Sequence, residues 1–188
     1  MDFLADRNKL VGAASYFRHR GERSIHCYGL TGDAYGTPVR ADTLYDMASL
    51  SKVLGTTMAV LRLAEQEKIT LDTSVRDVLP LFRHGGVRVA HLLSHSSGLP
   101  ADLPDKHNLA YREMVAALYG ADLVYETGKD IVYSDVGFIL LGFLVDRLTE
   151  GLHPFTANEI FAPLAMRHTG YLPQDKKRCA PTAVAEKN

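Results

Sequence analysis

Residues 43–57 read TLYDMASLSKVLGTT, and the fold is decided by the change of period inside them. From Leu50 onward, Leu50, Val53, Leu54, Thr57, Val60, Leu61 and Ala64 recur at the three- and four-residue intervals of one helix face. Arg62, Glu65, Glu67 and Lys68 supply a polar side. The spacing predicts an amphipathic helix ending near Lys68. Ser49 and Lys52 stand three apart at its opening, where side chains share a face with Cβ atoms about 5–6 Å apart. The hydroxyl and the amine can therefore meet. A serine hydroxyl is a weak nucleophile until a neighbouring base takes its proton, and a lysine is such a base only when burial or nearby positive charge lowers its pKa. A helix N-terminus favours an anion and offers free N–H groups to an oxyanion.

Upstream of this stretch the pattern is that of β structure. Leu10–Phe17 (LVGAASYF) is a short apolar run, His19–Arg23 (HRGER) a glycine-containing polar turn, and Ser24–Leu30 (SIHCYGL) resumes the alternation. That is a hairpin. Thr31–Asp42 is rich in Gly, Pro, Asp and Thr and reads as loop.

Downstream, shorter helical pieces are punctuated by Pro80, Gly85-Gly86, Gly98-Leu99-Pro100 and Pro104. Tyr111–Tyr119 is a further helix, and Tyr125–Asp130 (YETGKD) a turn. A second long helix is expected to begin at Asp135, with the Asp135 carboxylate capping its first turn, and to stop at Gly151. Its apolar residues lie on all sides, which marks a buried helix. Thr156 and Glu159 fit a capping box opening one more helix. The fold class is α+β: an antiparallel sheet with a mostly helical subdomain. Two strands alone are marginally stable, so further strands are expected to complete the sheet.

Twenty-one basic against 22 acidic side chains leave a formal net charge of −1, which gives no footprint for nucleic acid or an anionic membrane surface. The longest apolar run, Val136–Val145, is about half of the ~20 residues needed to span a bilayer. Asp2, Asp6 and Arg7 interrupt the place of a signal peptide's apolar stretch, so no export signal is expected and a cytoplasmic location follows. Cys27 and Cys179 are far apart without CxxC spacing, which signals neither a disulfide framework nor a zinc knuckle. His91 and His95 have the i, i+4 spacing of metal ligands, but Leu92 stands where the H-E-x-x-H signature needs Glu. No metal and no cofactor are expected, and His95 reads as a packing and hydrogen-bonding residue.

Three segments in order, TLYDMASLSKVLGTT, LLSHSSGLP (92–100) and YSDVGFILLG (133–142), closely resemble the serine β-lactamase and penicillin-binding protein superfamily. The similarity is to its class C-like branch, which also holds D-alanyl-D-alanine carboxypeptidases and esterases, and it runs from about Leu10 to about Leu172. The resemblance implies a serine hydrolase that acylates Ser49 with an amide or ester: a β-lactam, a D-alanyl peptide or a carboxylic ester. Lys52 would accept the proton and Tyr133 would pass it to the leaving group. Asp135 falls at a substrate-binding position where the family usually has Asn. An ionised carboxylate only accepts hydrogen bonds, and beside Lys52 it favours the ammonium form, opposing use of that lysine as a base.

The family also carries a K-T-G or H-x-G strand late in the chain, and no K-T-G occurs here. The resemblance thus implies the N-terminal portion of one catalytic domain, without its C-terminal strands. Residues 1–48 would be the hairpin part, 49–175 the nucleophile helix and helical subdomain, and 176–188 a tail. Weak activity of this chain by itself is the expectation, with a noncatalytic binding or scaffold module as the alternative. An incomplete sheet edge would favour self-association or a covering partner segment.

Overall fold

The computed structural model describes residues 11–33, 35–104 and 106–182. The N-terminal MDFLADRNKL stretch, on which the expectation about export rests, and residues 183–188 of the expected tail lie outside them. The described residues divide into two compact units, one formed by those up to Ala48 with those from Leu172 onward, the other by Ser49–Tyr171.

In the first unit, β1 (Gly12–His19) and β2 (Glu22–Gly29) pair antiparallel from Gly12↔Gly29 to His19↔Glu22. The link is the two residues Arg20 (φ 49°) and Gly21 (φ 89°). Two successive left-handed residues make a type I′ turn, whose twist matches that of the strands. Leu44 then pairs on both sides with the chain's far end: its N–H donates to Arg178 O (2.8 Å), and its carbonyl accepts from Ala180 N–H (2.8 Å). Tyr16, Phe17 and Ile25 stay exposed on the hairpin.

In the second unit, helical structure begins at Leu50, passes through a π-helical turn at Lys52–Thr57 and continues as α1 (Met58–Glu65). α2 (Val75–Val78), α3 (Val89–Leu93), α4 (Tyr111–Gly120), α5 (Asp135–Leu148) and α6 (Leu152–Thr156) follow, and α6 runs into a second π-helical turn at Ala157–Phe161. The core gathers around α5. Val136, Phe138, Leu140, Leu141, Leu144 and Val145 are buried on it, and it packs against the first π turn and every other α-helix of the unit. Its run of apolar residues is thus a buried helix. No helix among the described residues is long and apolar enough to cross a membrane.

Three local expectations are corrected. The inward face of the first helix is made by Gly55, Thr56, Ala59, Val60 and Leu63, while Leu50 (55% exposed), Val53 (56%) and Leu61 (45%) look outward. Of the expected face Val60 is buried and Ala64 packs against the core, while small residues take the inward positions where neighbours come closest. Capping of α5 falls to Ser134, whose Oγ accepts from Gly137 N–H at 3.1 Å, leaving Asp135 for another contact. Thr156 opens no helix: α6 has already begun at Leu152 after Gly151 (φ 122°). The Thr156 hydroxyl donates back to Leu152 O (2.7 Å), and Glu159 accepts from Arg62 Nε (2.9 Å) and Gln66 Nε2 (3.1 Å).

Gly55 marks the tightest approach on the π turn. A Cβ there would collide with the hydroxyl of Tyr171, a ring stacked on His153 at 4.0 Å. Overpacking of this kind costs about 1–3 kcal/mol. Gly55→Ala should therefore lower stability in urea unfolding by that amount, and Tyr171→Phe, which removes the colliding oxygen, should recover part of the loss in the double variant. Strictly additive losses would show that the two residues do not press on each other.

Candidate active site

The site is built on the opening of the first helix. Ala48 holds a left-handed backbone (φ 43°) just before Ser49, a conformation rare for residues other than glycine. Lys52 N–H closes the first turn onto Ser49 O at 3.1 Å, and Lys52 Nζ donates to Ser49 Oγ at 3.3 Å. The face predicted from their spacing thus exists, with Ser49 exposed and the Lys52 side chain only 17% exposed.

Tyr133 and Asp135 arrive from the start of α5. Lys52 Nζ lies 4.9 Å from the Tyr133 ring centroid and 2.7 Å from Asp135 Oδ1. The latter contact is an ion pair by distance, although Asp135 Oδ1 has no well-aligned hydrogen-bond donor. The Tyr133 phenol lies beside both Lys52 and Ser49, close enough for each to lower its pKa, and Tyr133 is 51% exposed. All four residues singled out in the sequence therefore converge, and the cluster opens to solvent.

What holds Tyr133 there is the LLSHSSGLP segment. Val132 N–H donates to His95 O (2.9 Å), and Asp135 N–H to Ala101 O (2.8 Å). Ser134 Oγ donates to Pro100 O (2.7 Å), and Ser134 N–H donates to His95 Nδ1 (3.0 Å). On its other side the segment binds the 125–130 turn: Gly128 N–H donates to Ser96 O, Thr127 Oγ1 to Ser97 O and Tyr125 Oη to His95 O. Gly98 (φ 88°) lies so close to the Tyr125 carbonyl that no Cβ would fit. His91 is engaged elsewhere, its Nδ1 accepting from Arg88 N–H at 3.1 Å. Among the described residues no group of three or more His, Cys, Asp or Glu is placed to hold a metal ion.

The electrostatics follow from this packing. Burial alone would lower the Lys52 pKa, but the contacts with Asp135 and Tyr133 together outweigh it and raise it above the ordinary 10.5. Tyr133 moves the other way, below 10.0, because of first Lys52 and then Ser49 beside its oxygen. His95 is pushed below 6.5, chiefly by burial and then by the Lys52 charge, with Asp135 opposing. Lys52 is thus a fixed ammonium in this arrangement, and the phenol is the group whose proton is loosened. His95 is the packing and hydrogen-bonding residue expected of it, whereas sequence reasoning missed the parts of Ser134 and Pro100, because nothing local to them shows which distant groups they bond.

The family model described as Beta-lactamase matches residues 2–188. A protein of Bacillus subtilis (strain 168) called N-acetylmuramyl-L-alanine amidase is 33% identical over 156 residues, covering 73% of this chain and 35% of that protein. A putative D-alanyl-D-alanine carboxypeptidase of Escherichia coli (strain K12) is 33% identical over 160 residues, covering 72% of this chain and 36% of that protein. Among solved structures, a class C beta-lactamase in complex with cefoxitin superposes with a TM-score of 0.82 at 26% identity, covering 95% of this chain and 52% of that one. This chain therefore spans about a third of those relatives and about half of that structure. Nearly its whole length matches the family model, and its helices and two-stranded antiparallel sheet follow the fold of its structural neighbours. The chain belongs to the beta-lactamase family, within the serine β-lactamase and penicillin-binding protein superfamily.

Proposed function

We propose that this chain carries the acylation site of a serine hydrolase acting on an amide or ester carbonyl, with Ser49 as nucleophile. The observation that supports this best is the convergence of an exposed serine hydroxyl, a held ammonium and a phenol of lowered pKa within hydrogen-bonding reach of one another. In the first step Tyr133 acts as the phenolate, its own proton having gone to solvent beside the Lys52 cation. Ser49 Oγ attacks the carbonyl carbon and passes its proton to Tyr133 Oη. As the carbon–nitrogen or carbon–oxygen bond breaks, Tyr133 returns that proton to the leaving group. Water then hydrolyses the acyl-Ser49 ester. This assigns proton transfer to Tyr133, and it changes the part of Lys52 from acceptor to the cation that keeps the phenol acidic. Asp135 holds that cation. The names of the relatives, an amidase, a carboxypeptidase and a beta-lactamase, support an amide as the bond class.

Mass spectrometry after treatment with a fluorophosphonate or a fluorescent penicillin tests the assignment. A single adduct on Ser49 is expected, formed slowly by the 188-residue chain, absent in Ser49→Ala and slowed about 10²–10⁴-fold in Tyr133→Phe, the usual worth of a positioned proton carrier. A chain that folds yet never labels at Ser49 would instead support a noncatalytic binding module.

The Asp135 contact yields a separate expectation. Asp135→Asn removes the charge that favours the ammonium while leaving Lys52 buried, so the Lys52 pKa should fall. Titration of the Lys52 side-chain signal by carbon-13 NMR reads this directly. An unchanged midpoint would rule out the ion pair as the cause of the raised pKa.

A further inference from the structure

His95 is not needed for the chemistry just described, yet more of the site rests on it than on any other residue of its segment. Its backbone is left-handed (φ 56°), a conformation in which Asn, Asp and His are enriched. Its carbonyl accepts both Val132 N–H (2.9 Å) and Tyr125 Oη (3.1 Å). Its ring lies between Tyr133, at 4.6 Å between centroids, and Phe138, at 4.9 Å. Its Nδ1 is 3.0 Å from Ser134 N–H. A backbone N–H can only donate, so Nδ1 must be the unprotonated nitrogen and the proton of the neutral ring sits on Nε2.

We propose that His95 is a positioning residue for Tyr133, holding the phenol against Ser49 and Lys52 only while its ring is neutral. Protonation of Nδ1 removes the acceptor for Ser134 N–H and leaves two N–H groups facing each other. The Tyr133–Asp135 backbone is then released from the ring that fixes it. The inference rests on the reading of Tyr133 as proton carrier, and it adds a pH-dependent hold on that residue.

The groups that face the imidazole define the direction. Lys52 comes from the first π turn, Tyr133 and Asp135 from the start of α5, and Tyr125 from the 125–130 turn. Burial and Lys52 favour the neutral ring, against Asp135. The folded protein therefore binds this proton less readily than the unfolded chain. Stability that His95 confers is present above the ordinary pKa of 6.5 and is lost as pH falls below it through the depressed folded value.

The 188-residue chain labelled with carbon-13 at the tyrosine Cζ supplies a test that needs no turnover, the Tyr133 signal being the one lost in Tyr133→Phe. In the wild type that signal should shift as pH is lowered, with a midpoint below 6.5. In His95→Asn the step should vanish: Asn suits the left-handed backbone, its side-chain oxygen replaces Nδ1 as acceptor, and it does not titrate. In His95→Gly, which lacks acceptor and ring, the phenol ionisation should return toward 10.0. A wild-type signal without a step, a step that survives in His95→Asn, or an unchanged Tyr133 ionisation in His95→Gly each overturns the inference. If Ser49 fails to acylate while the step behaves as expected, the hydrolase reading falls and the hold of His95 on Tyr133 stands. Acylation with no step has the opposite meaning.

Discussion

The ion pair between Lys52 and Asp135 is the interaction on which the site's electrostatics depend. One partner belongs to the π turn that opens the first helix and the other to the first turn of the central helix, so the pair ties the nucleophile's element to the core. Exposed pairs contribute about 0–1 kcal/mol, and removing one partner of a buried pair costs about 3–5 kcal/mol. With side chains 17% and 39% exposed, this pair lies between those limits. Its larger effect is electrostatic: it helps raise the Lys52 pKa, and Lys52 is the first cause of the lowered Tyr133 pKa, with Asp135 itself acting in the opposite sense on the phenol.

Much of this arrangement was legible in the sequence where the signal is local. The hairpin was visible because alternation and a glycine-containing turn stand side by side, and α5 because ten apolar residues in a row leave no polar face. Ser49 and Lys52 were visible because their three-residue spacing puts them on one face at a helix opening, and Tyr133 and Asp135 because the segment YSDVGFILLG resembles that of the family. The inward face of the first helix was visible only in part, at Val60 and Ala64. It is set by Gly55 against Tyr171, a contact across more than a hundred residues, and a period-based reading favours the larger residues that here look outward.

The two misread caps have different causes. Ser134 and Asp135 are both good N-terminal acceptors, and the sequence contains nothing that ranks them. The fold ranks them through Lys52, which draws the Asp135 carboxylate away and leaves Ser134 Oγ to accept from Gly137 N–H. Thr156 resembles a cap in isolation, but Gly151 starts the helix a turn earlier. Both local candidates were chemically sound; a tertiary partner decided the first, and a glycine just upstream in the chain the second.

The carboxylate at position 135 also bears on what the site can do. An amide there could donate to a substrate carbonyl while accepting from Lys52, whereas a carboxylate accepts only. On the proposed reading, a substrate must meet Asp135 with a donor of its own or leave it to Lys52. An acceptor-only group beside a fixed ammonium also removes the route by which Lys52 becomes a neutral base near pH 7. Proton movement then falls to the one group in the cluster that is both acidified and half exposed, Tyr133. A site organised in this way depends on the placement of a single phenol, and that placement is set by Ser134, Pro100 and His95 outside the Ser49–Lys52 turn. The backbone contacts of LLSHSSGLP are therefore part of the site's chemistry as well as its packing.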